Sequence, residues 1–312
     1  STASYPRNID IRSMALDAPL LPKFLGRTDC AHATACTPRE ERVNYLAWRK
    51  WYKDRARVAV TALGHALQPV NDSVRLGWGT LRSLKDQSRL HAGVSSFDGS
   101  AKARFFTWLG SHNWNGGTPN KWAVGAVGNY YRRTDSDGPW ATTPNPDSVT
   151  VASPTGGATG PGAWEQSSNH ASCRRSFTLL VTDGYYNEGG PSNFGNFDDT
   201  AINIGEHGSP AYSQLANAPY RDAQSNTLAD IAMYYWGTDL RQDLPNRVPT
   251  VQTAAGFNPS TWQNTSFYAV TMGLLGTLQR TQDVTQQLYA GHRDWPQASA
   301  DSPTAVDDTW HA

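Results

Sequence analysis

The sequence is poor in charge, in cysteine and in long apolar runs, and each shortage narrows what the chain can be. Charged residues are 17% of the 312, with Lys+Arg and Asp+Glu equal at 27 each. No overall field therefore draws the chain to a nucleic-acid backbone or an anionic membrane. No stretch of about 18 apolar residues occurs, so the sequence holds no candidate helical membrane span. Three cysteines allow three single pairings, each leaving one thiol over. Cys30 and Cys36, in TDCAHATAC, are the local choice. A bridge there implies an oxidising compartment, with Cys173 either a buried apolar residue or the partner of a cysteine outside the chain. The spacing does not suit a zinc knuckle.

Catalytic signatures are missing too. There is no GxxxxGK[ST] phosphate loop, no HExxH, no GxSxG elbow and no GxGxxG after a strand. His207 and His292 stand alone, without a cysteine or second histidine at ligand spacing. The opening STASYPRN lacks the pattern of a secretory signal, so Ser1 is expected to be a mature terminus or a cut end. What the chain does have is 12 Trp, 13 Tyr, 27 Gly and 19 Pro, a composition that favours long ordered loops and is common in exported proteins. Its length is enough for one large domain or two small ones.

The central stretch is Cys173 to Asn187, CRRSFTLLVTDGYYN. Phe177 to Val181 is an apolar, partly β-branched run that Thr182-Asp183-Gly184 stops, so it reads as a buried central strand ending in an acidic loop. In an open α/β sheet, polar groups beyond the carboxyl end of such a strand line the ligand crevice, which makes Asp183 a candidate binding residue. An Asp-Gly at that place also serves as a plain turn.

Residues 1–41, with four prolines and little periodicity, are expected to be an extended segment packed on the core of a domain spanning 42–312. Thr37-Pro38-Arg39-Glu40 has capping-box spacing and opens a helix predicted to run until Pro69 stops it, with Tyr52, Ala56, Ala59, Leu63 and Leu67 on one face. A strand over Val74–Leu81 follows, then a short helix over Ala101–Leu109. Gly116-Gly117-Thr118-Pro119 opens another helix, with Thr118 as its expected N-cap. Residues 134–172 read as a long unpacked loop. A second irregular excursion, 185–225, carries Glu188, Asp198, Asp199 and Glu206, which are expected to be solvated. Thr227 caps a helix predicted to end near Asp243-Leu244-Pro245; a strand over 265–273, a helical pattern over 278–290 and a domain-edge segment, DSPTAVDDTWHA, complete the chain.

Several of these pieces together resemble the N-terminal von Willebrand A-like domain of PilY-type proteins of bacterial type IV pili. They are the TDG strand with YYN after it, the GGTP turn, the helix TLADIAMYYW with DLR, NPSTWQ, and the WP-to-DSP-to-DDTWHA ending. The resemblance implies an α/β fold, a doubly wound, mostly parallel sheet flanked by helices, Rossmann-like, with long loop insertions. It also implies a divalent-cation site at the carboxyl edge of that sheet. Thr118 matches the family's threonine ligand and Asp183 its aspartate ligand, and oxygen donors of this kind select Mg2+ or Ca2+. The DxSxS motif that ends the first strand of such domains has no match, Asp10-Ile11-Arg12-Ser13 being a poor substitute. Either that strand lies upstream of Ser1 or the site here is incomplete. By resemblance the function is non-enzymatic adhesion and assembly at a pilus tip, extracellular after export through the periplasm. The partners it implies are minor pilins, the pilus tip complex and a surface or host receptor. The alternative is an exported carbohydrate-binding or glycan-hydrolysing protein using the acidic aromatic loop 185–225, with a carboxylate pair such as Glu188 and Asp198.

Overall fold

The computed structural model describes residues 15–23, 26–111, 114, 116–151, 170–199, 217–253 and 256–312. The expectations placed on Asp10 to Ser13, on the Gly/Pro run of 153–169, on Glu206 and on His207 lie outside the described residues. The chain divides into two compact units, Ser1–Pro69 and Val70–Ala312.

In the first unit, β1 (Leu21–Pro22) pairs antiparallel with β2 (Ala35–Cys36), and Cys30 is bridged to Cys36. The Thr37 capping box forms as the spacing predicts: the Thr37 hydroxyl accepts from the Glu40 amide, and the Glu40 carboxylate accepts from the Thr37 amide at 2.8 Å. The predicted single helix is in fact two, α1 (Pro38–Trp51) and α2 (Arg55–Leu67). Asp54 makes the break, because its side chain accepts from the Arg57 amide at 3.0 Å and caps a new start.

The second unit begins with β3 (Arg75–Trp78), shorter than its predicted run because Thr80 caps α3 (Leu81–Asp86). β4 (Arg89–Leu90) follows, and β5 (Ala92–Ser96) pairs antiparallel with β3. Close approach there requires Gly77, whose added Cβ would stand 2.9 Å from the Val94 amide nitrogen. After α4 (Gly99–Ser111) comes α5 (Asn120–Tyr130), which is buried on most of its circumference. Such a helix belongs at the centre of a core. One face of α5 contributes Val124 to a cluster with Leu180, Leu228, Ile231 and Tyr235; another gives Ala123, Ala126 and Tyr130 to a cluster with Leu84, Leu90 and Val149.

The loop from residue 134 is irregular but, where described, not unpacked. It carries β6 (Val149–Thr150), which pairs with β4, and Trp140, which is fully buried with its indole N–H donating to the Tyr131 carbonyl at 2.7 Å. An aromatic anchor with a satisfied polar edge packs such a segment without regular structure.

β7 (Phe177–Thr182) lies parallel to the later β10 (Ser266–Thr271), in register from Phe177 opposite Ser266 to Thr182 opposite Thr271. Between them come α6 (Leu228–Gly237) and the antiparallel pair β8 (Val251–Thr253) and β9 (Gly256–Asn258). α6 ends at Gly237 rather than near Asp243. The chain closes with α7 (Gln282–Tyr289) and α8 (Thr304–His311). The fold is therefore mixed α/β. Among the described residues its strands form five two-stranded sheets, and the β7–β10 pair is the parallel one. β7 is buried on one face only: Thr178, Leu180 and Thr182 point to the core, while Phe177 and Leu179 are 52% and 58% exposed. The expected domain-edge segment is instead a buried helix, with Ala305, Val306, Asp307 and Asp308 all inside.

Gly128 of α5 faces the Tyr235 ring of α6 so closely that a Cβ would collide with it. Gly128→Ala is expected to lower unfolding free energy by about 1–3 kcal/mol, the usual cost of overpacking, in a urea titration. Cys173 is exposed and free, not buried. A thiol reagent should titrate one cysteine per native chain and three after denaturation and reduction.

Candidate functional site

Parallel pairing puts the carboxyl ends of β7 and β10 on one rim, so Thr182-Asp183-Gly184 and the turn after Thr271 face the same side. Gly184 turns the chain there at a φ of 123°, a conformation that favours glycine. The GGTP turn meets the segment that leaves β7. The Thr118 amide donates to Asn187 Oδ1 at 2.7 Å, four residues past Asp183, and a Cβ on Gly117 would stand 3.0 Å from that oxygen. Thr118 and Asp183 are both partly buried. Thr118 is not the cap of α5. Pro119 takes the N-cap place without a side-chain bond, while the Thr118 amide donates to Asn187 and the Thr118 carbonyl accepts the Asn120 N–H at 3.0 Å.

Glu188 overlooks this turn and is held by two cations, Arg82 at 2.7 Å and Lys85. Asp198 is also unlike the solvated acid expected of its loop, being 1% exposed. Asp199 alone of the described acids in the excursion is exposed as predicted. A Glu188–Asp198 hydrolytic pair is not favoured, since one carboxylate is neutralised by ion pairs and the other is buried in a different cluster.

Behind the rim stands a set of buried aspartates. Asp308 of α8 accepts from the Leu228 amide at 3.0 Å and the Ala229 amide at 3.1 Å, the first two of α6, and from the Tyr186 hydroxyl at 2.9 Å. Asp307 accepts from the Thr277 amide at 2.8 Å and the Leu278 amide at 3.1 Å, fixing the loop after β10. Asp230 completes the Thr227 capping box and accepts from the Phe197 amide. Burial pushes the Asp308 and Asp230 carboxyls above the usual carboxylate range, although the amides pull the other way. Burial pushes Asp198 up to about 7. Burial lowers the His311 imidazole more than any one neighbour raises it, but Asp222, Asp198 and the Tyr220 carbonyl together bring it above its ordinary value. Sequence reasoning missed these roles. For Asp307 and Asp308 the only signal was DD in the closing segment, which reads as a domain edge.

So the segments TLADIAMYYW and DDTWHA meet in space, and YYN joins them through Tyr186. The same segments align with known proteins. The chain is 31% identical to the type IV pilus biogenesis factor PilY1 of Pseudomonas aeruginosa strain PAO1, an alignment covering all of this chain and 28% of that protein. It is 30% identical to PilY1 of strain PAK over 93% of this chain, and 27% identical to that of strain UCBPP-PA14 over 88%. The chain is of the PilY1 type. It spans about a quarter of the length of these PilY1 relatives. No known family profile matches it, and no solved structure does. No described helix of this PilY1-type chain is long and apolar enough to cross a membrane.

Asp308→Asn replaces one acceptor oxygen with a donor that faces the α6 amides. Chemical denaturation should show a loss of about 1–3 kcal/mol, the cost of an unsatisfied buried group, whereas Asp301→Asn on the exposed turn before α8 should leave the midpoint unchanged.

Proposed function

We propose that this chain is a non-enzymatic adhesion and assembly region of a type IV pilus protein, working outside the cell at the pilus tip and contacting minor pilins and a surface or host receptor. The observation that carries this reading is the alignment of the whole chain with a pilus biogenesis factor at 31% identity. Within it, the rim formed by the ends of β7 and β10 and the GGTP turn is proposed as a divalent-cation site, with Thr118 and Asp183 as oxygen ligands for Mg2+ or Ca2+. The hydrogen bond from Thr118 to Asn187 supports this by tying the two segments to one edge.

The proposed framework is a doubly wound von Willebrand A-like sheet. Supporting it are the parallel pairing of β7 with β10 and the helices α5, α6 and α8 packed against that pair. Parallel sheets are ordinarily covered on both faces. Here Phe177, Leu179, Tyr268 and Val270 line one face and are all more than half exposed. That face is the kind that a further packed layer or a partner covers.

The purified chain tests the site: Mg2+ or Ca2+ should raise its melting temperature by several degrees, and Asp183→Ala should abolish the rise. In a piliated host lacking its own PilY1-type gene, the full-length protein should restore surface attachment and co-purify minor pilins, and Asp183→Ala should lose attachment. Equal cation response with and without the Asp183 carboxylate refutes the metal role. Restoration of attachment by a protein lacking 70–312 refutes the adhesive role.

A further inference from the structure

Three side chains far apart in sequence converge away from the rim: Asp198 from the loop after β7, Asp222 from the segment before α6, and His311 from the last turn of α8. One ligand atom from each lies within 4.8 Å of the others. His311 Nε2 is 3.8 Å from Asp198 Oδ2, and His311 Nδ1 is 3.6 Å from Asp222 Oδ2, both too long for hydrogen bonds. The His311, Asp198 and Asp222 side chains are 3%, 1% and 4% exposed.

Asp198 Oδ2 decides how this cluster is read. It is buried, turned toward His311, and has no hydrogen-bond partner, while Oδ1 of the same carboxylate accepts from the Asp222 amide at 3.0 Å. A buried carboxylate oxygen without a donor is costly, and native structures almost always satisfy it. The neighbouring Asp230, which accepts from the Asp198 amide at 3.3 Å, adds negative charge rather than relieving it. Two carboxylates thus face one imidazole, with a third, Asp230, beside Asp198.

The imidazole is held like a ligand. Its ring stacks on Trp295 at 4.4 Å and 14°, and Trp295 is itself fixed by donating to the Pro219 carbonyl at 2.6 Å. The Tyr220 carbonyl lies 2.8 Å from Nε2, the kind of backbone acceptor that orients metal-bound histidines through their other ring N–H. Asp222 is positioned by the Gln224 amide, from which it accepts at 2.6 Å.

We propose that Asp198, Asp222 and His311 bind one divalent transition-type cation, with zinc the best match, at a site distinct from the Thr118–Asp183 rim and independent of any pilus role. An imidazole nitrogen with two carboxylate oxygens is a donor set that suits zinc, whereas Mg2+ and Ca2+ prefer oxygen alone. Donors on a tetrahedral zinc stand roughly 3.3 Å apart given metal–ligand lengths near 2.0–2.1 Å, so a modest contraction brings all three onto one ion. The ion gives Asp198 Oδ2 its missing partner and clips three segments that no strand joins.

The test uses the purified chain, stripped with a chelator and dialysed. Competition against a chromophoric chelator and calorimetry should find one tight Zn2+ equivalent per chain that Mg2+ and Ca2+ do not displace, with a rise in melting temperature. Co2+ loaded in its place should show the visible absorption of a low-coordinate nitrogen and oxygen site. Asp198→Asn and His311→Gln should lose the equivalent, the thermal rise and the cobalt spectrum, while His292→Gln, on an exposed turn, keeps all three. If either variant does not fold, Asp222→Asn supplies the comparison, and the wild-type stoichiometry and cobalt spectrum decide alone if none folds. A wild-type chain that takes up no tight equivalent, or variants that bind as it does, overturns the proposal and leaves a purely protonic His–Asp cluster.

Discussion

The Asp308 carboxylate is the contact on which the second unit's organisation depends. It closes the first turn of α6 by taking the Leu228 and Ala229 amides, and the same oxygens hold Tyr186 of the loop that leaves β7. Amides at a helix start lack intrahelical partners and carry the positive end of the helix dipole, so a buried anion is the strongest neutral-pH acceptor the chain can offer them. Its neighbour Asp307 does the same for the turn after β10. Two adjacent carboxylates on one helix thereby lock both strand-end loops of the parallel pair and the helix between the strands. Desolvating them is unfavourable, and the several charge-assisted bonds each one receives offset that cost.

Local chemistry was legible wherever its partner lay within a few residues. The Thr37 capping box, the Thr227 cap, the span of β10 and the position of α4 follow from neighbours in sequence. Readings failed where a distant partner outbid a local one. Thr118 has the look of a cap, yet its backbone goes to Asn187, 69 residues away. The apolar periodicity of 40–67 runs through Asp54, but a side chain that reaches the Arg57 amide restarts the helix there. Glu188, Asp198 and Asp199 are indistinguishable as letters in a Gly/Asn-rich excursion. Arg82 and Lys85, brought round by α3, neutralise the first, the α6 and α8 ends bury the second, and water keeps the third. Of the candidate site, the two segments were readable, but the bond that ties Thr118 to Asn187 was not. Nor were the aspartates behind the site, because two acids in a helix carry no mark of burial.

The exposed face of the β7–β10 pair shows how far a local pattern can mislead about burial. FTLLV is apolar at every position but one, as strands covered on both sides are, and from such a run no alternation can be read. The structure nevertheless covers only the Thr178, Leu180 and Thr182 side. Free Cys173, four residues before β7, is exposed beside the strand's start. The first unit, by contrast, draws its order from short-range devices, the Cys30–Cys36 bridge and the Arg27 ion pairs with Asp29 and Glu41.

The acceptor that closes α6 lies 80 residues downstream of the amides it serves. Until Asp308 docks, the start of α6 has only Thr227 and Asp230 to close it, so the helix gains its full set of acceptors only when the far end of the chain has folded against it.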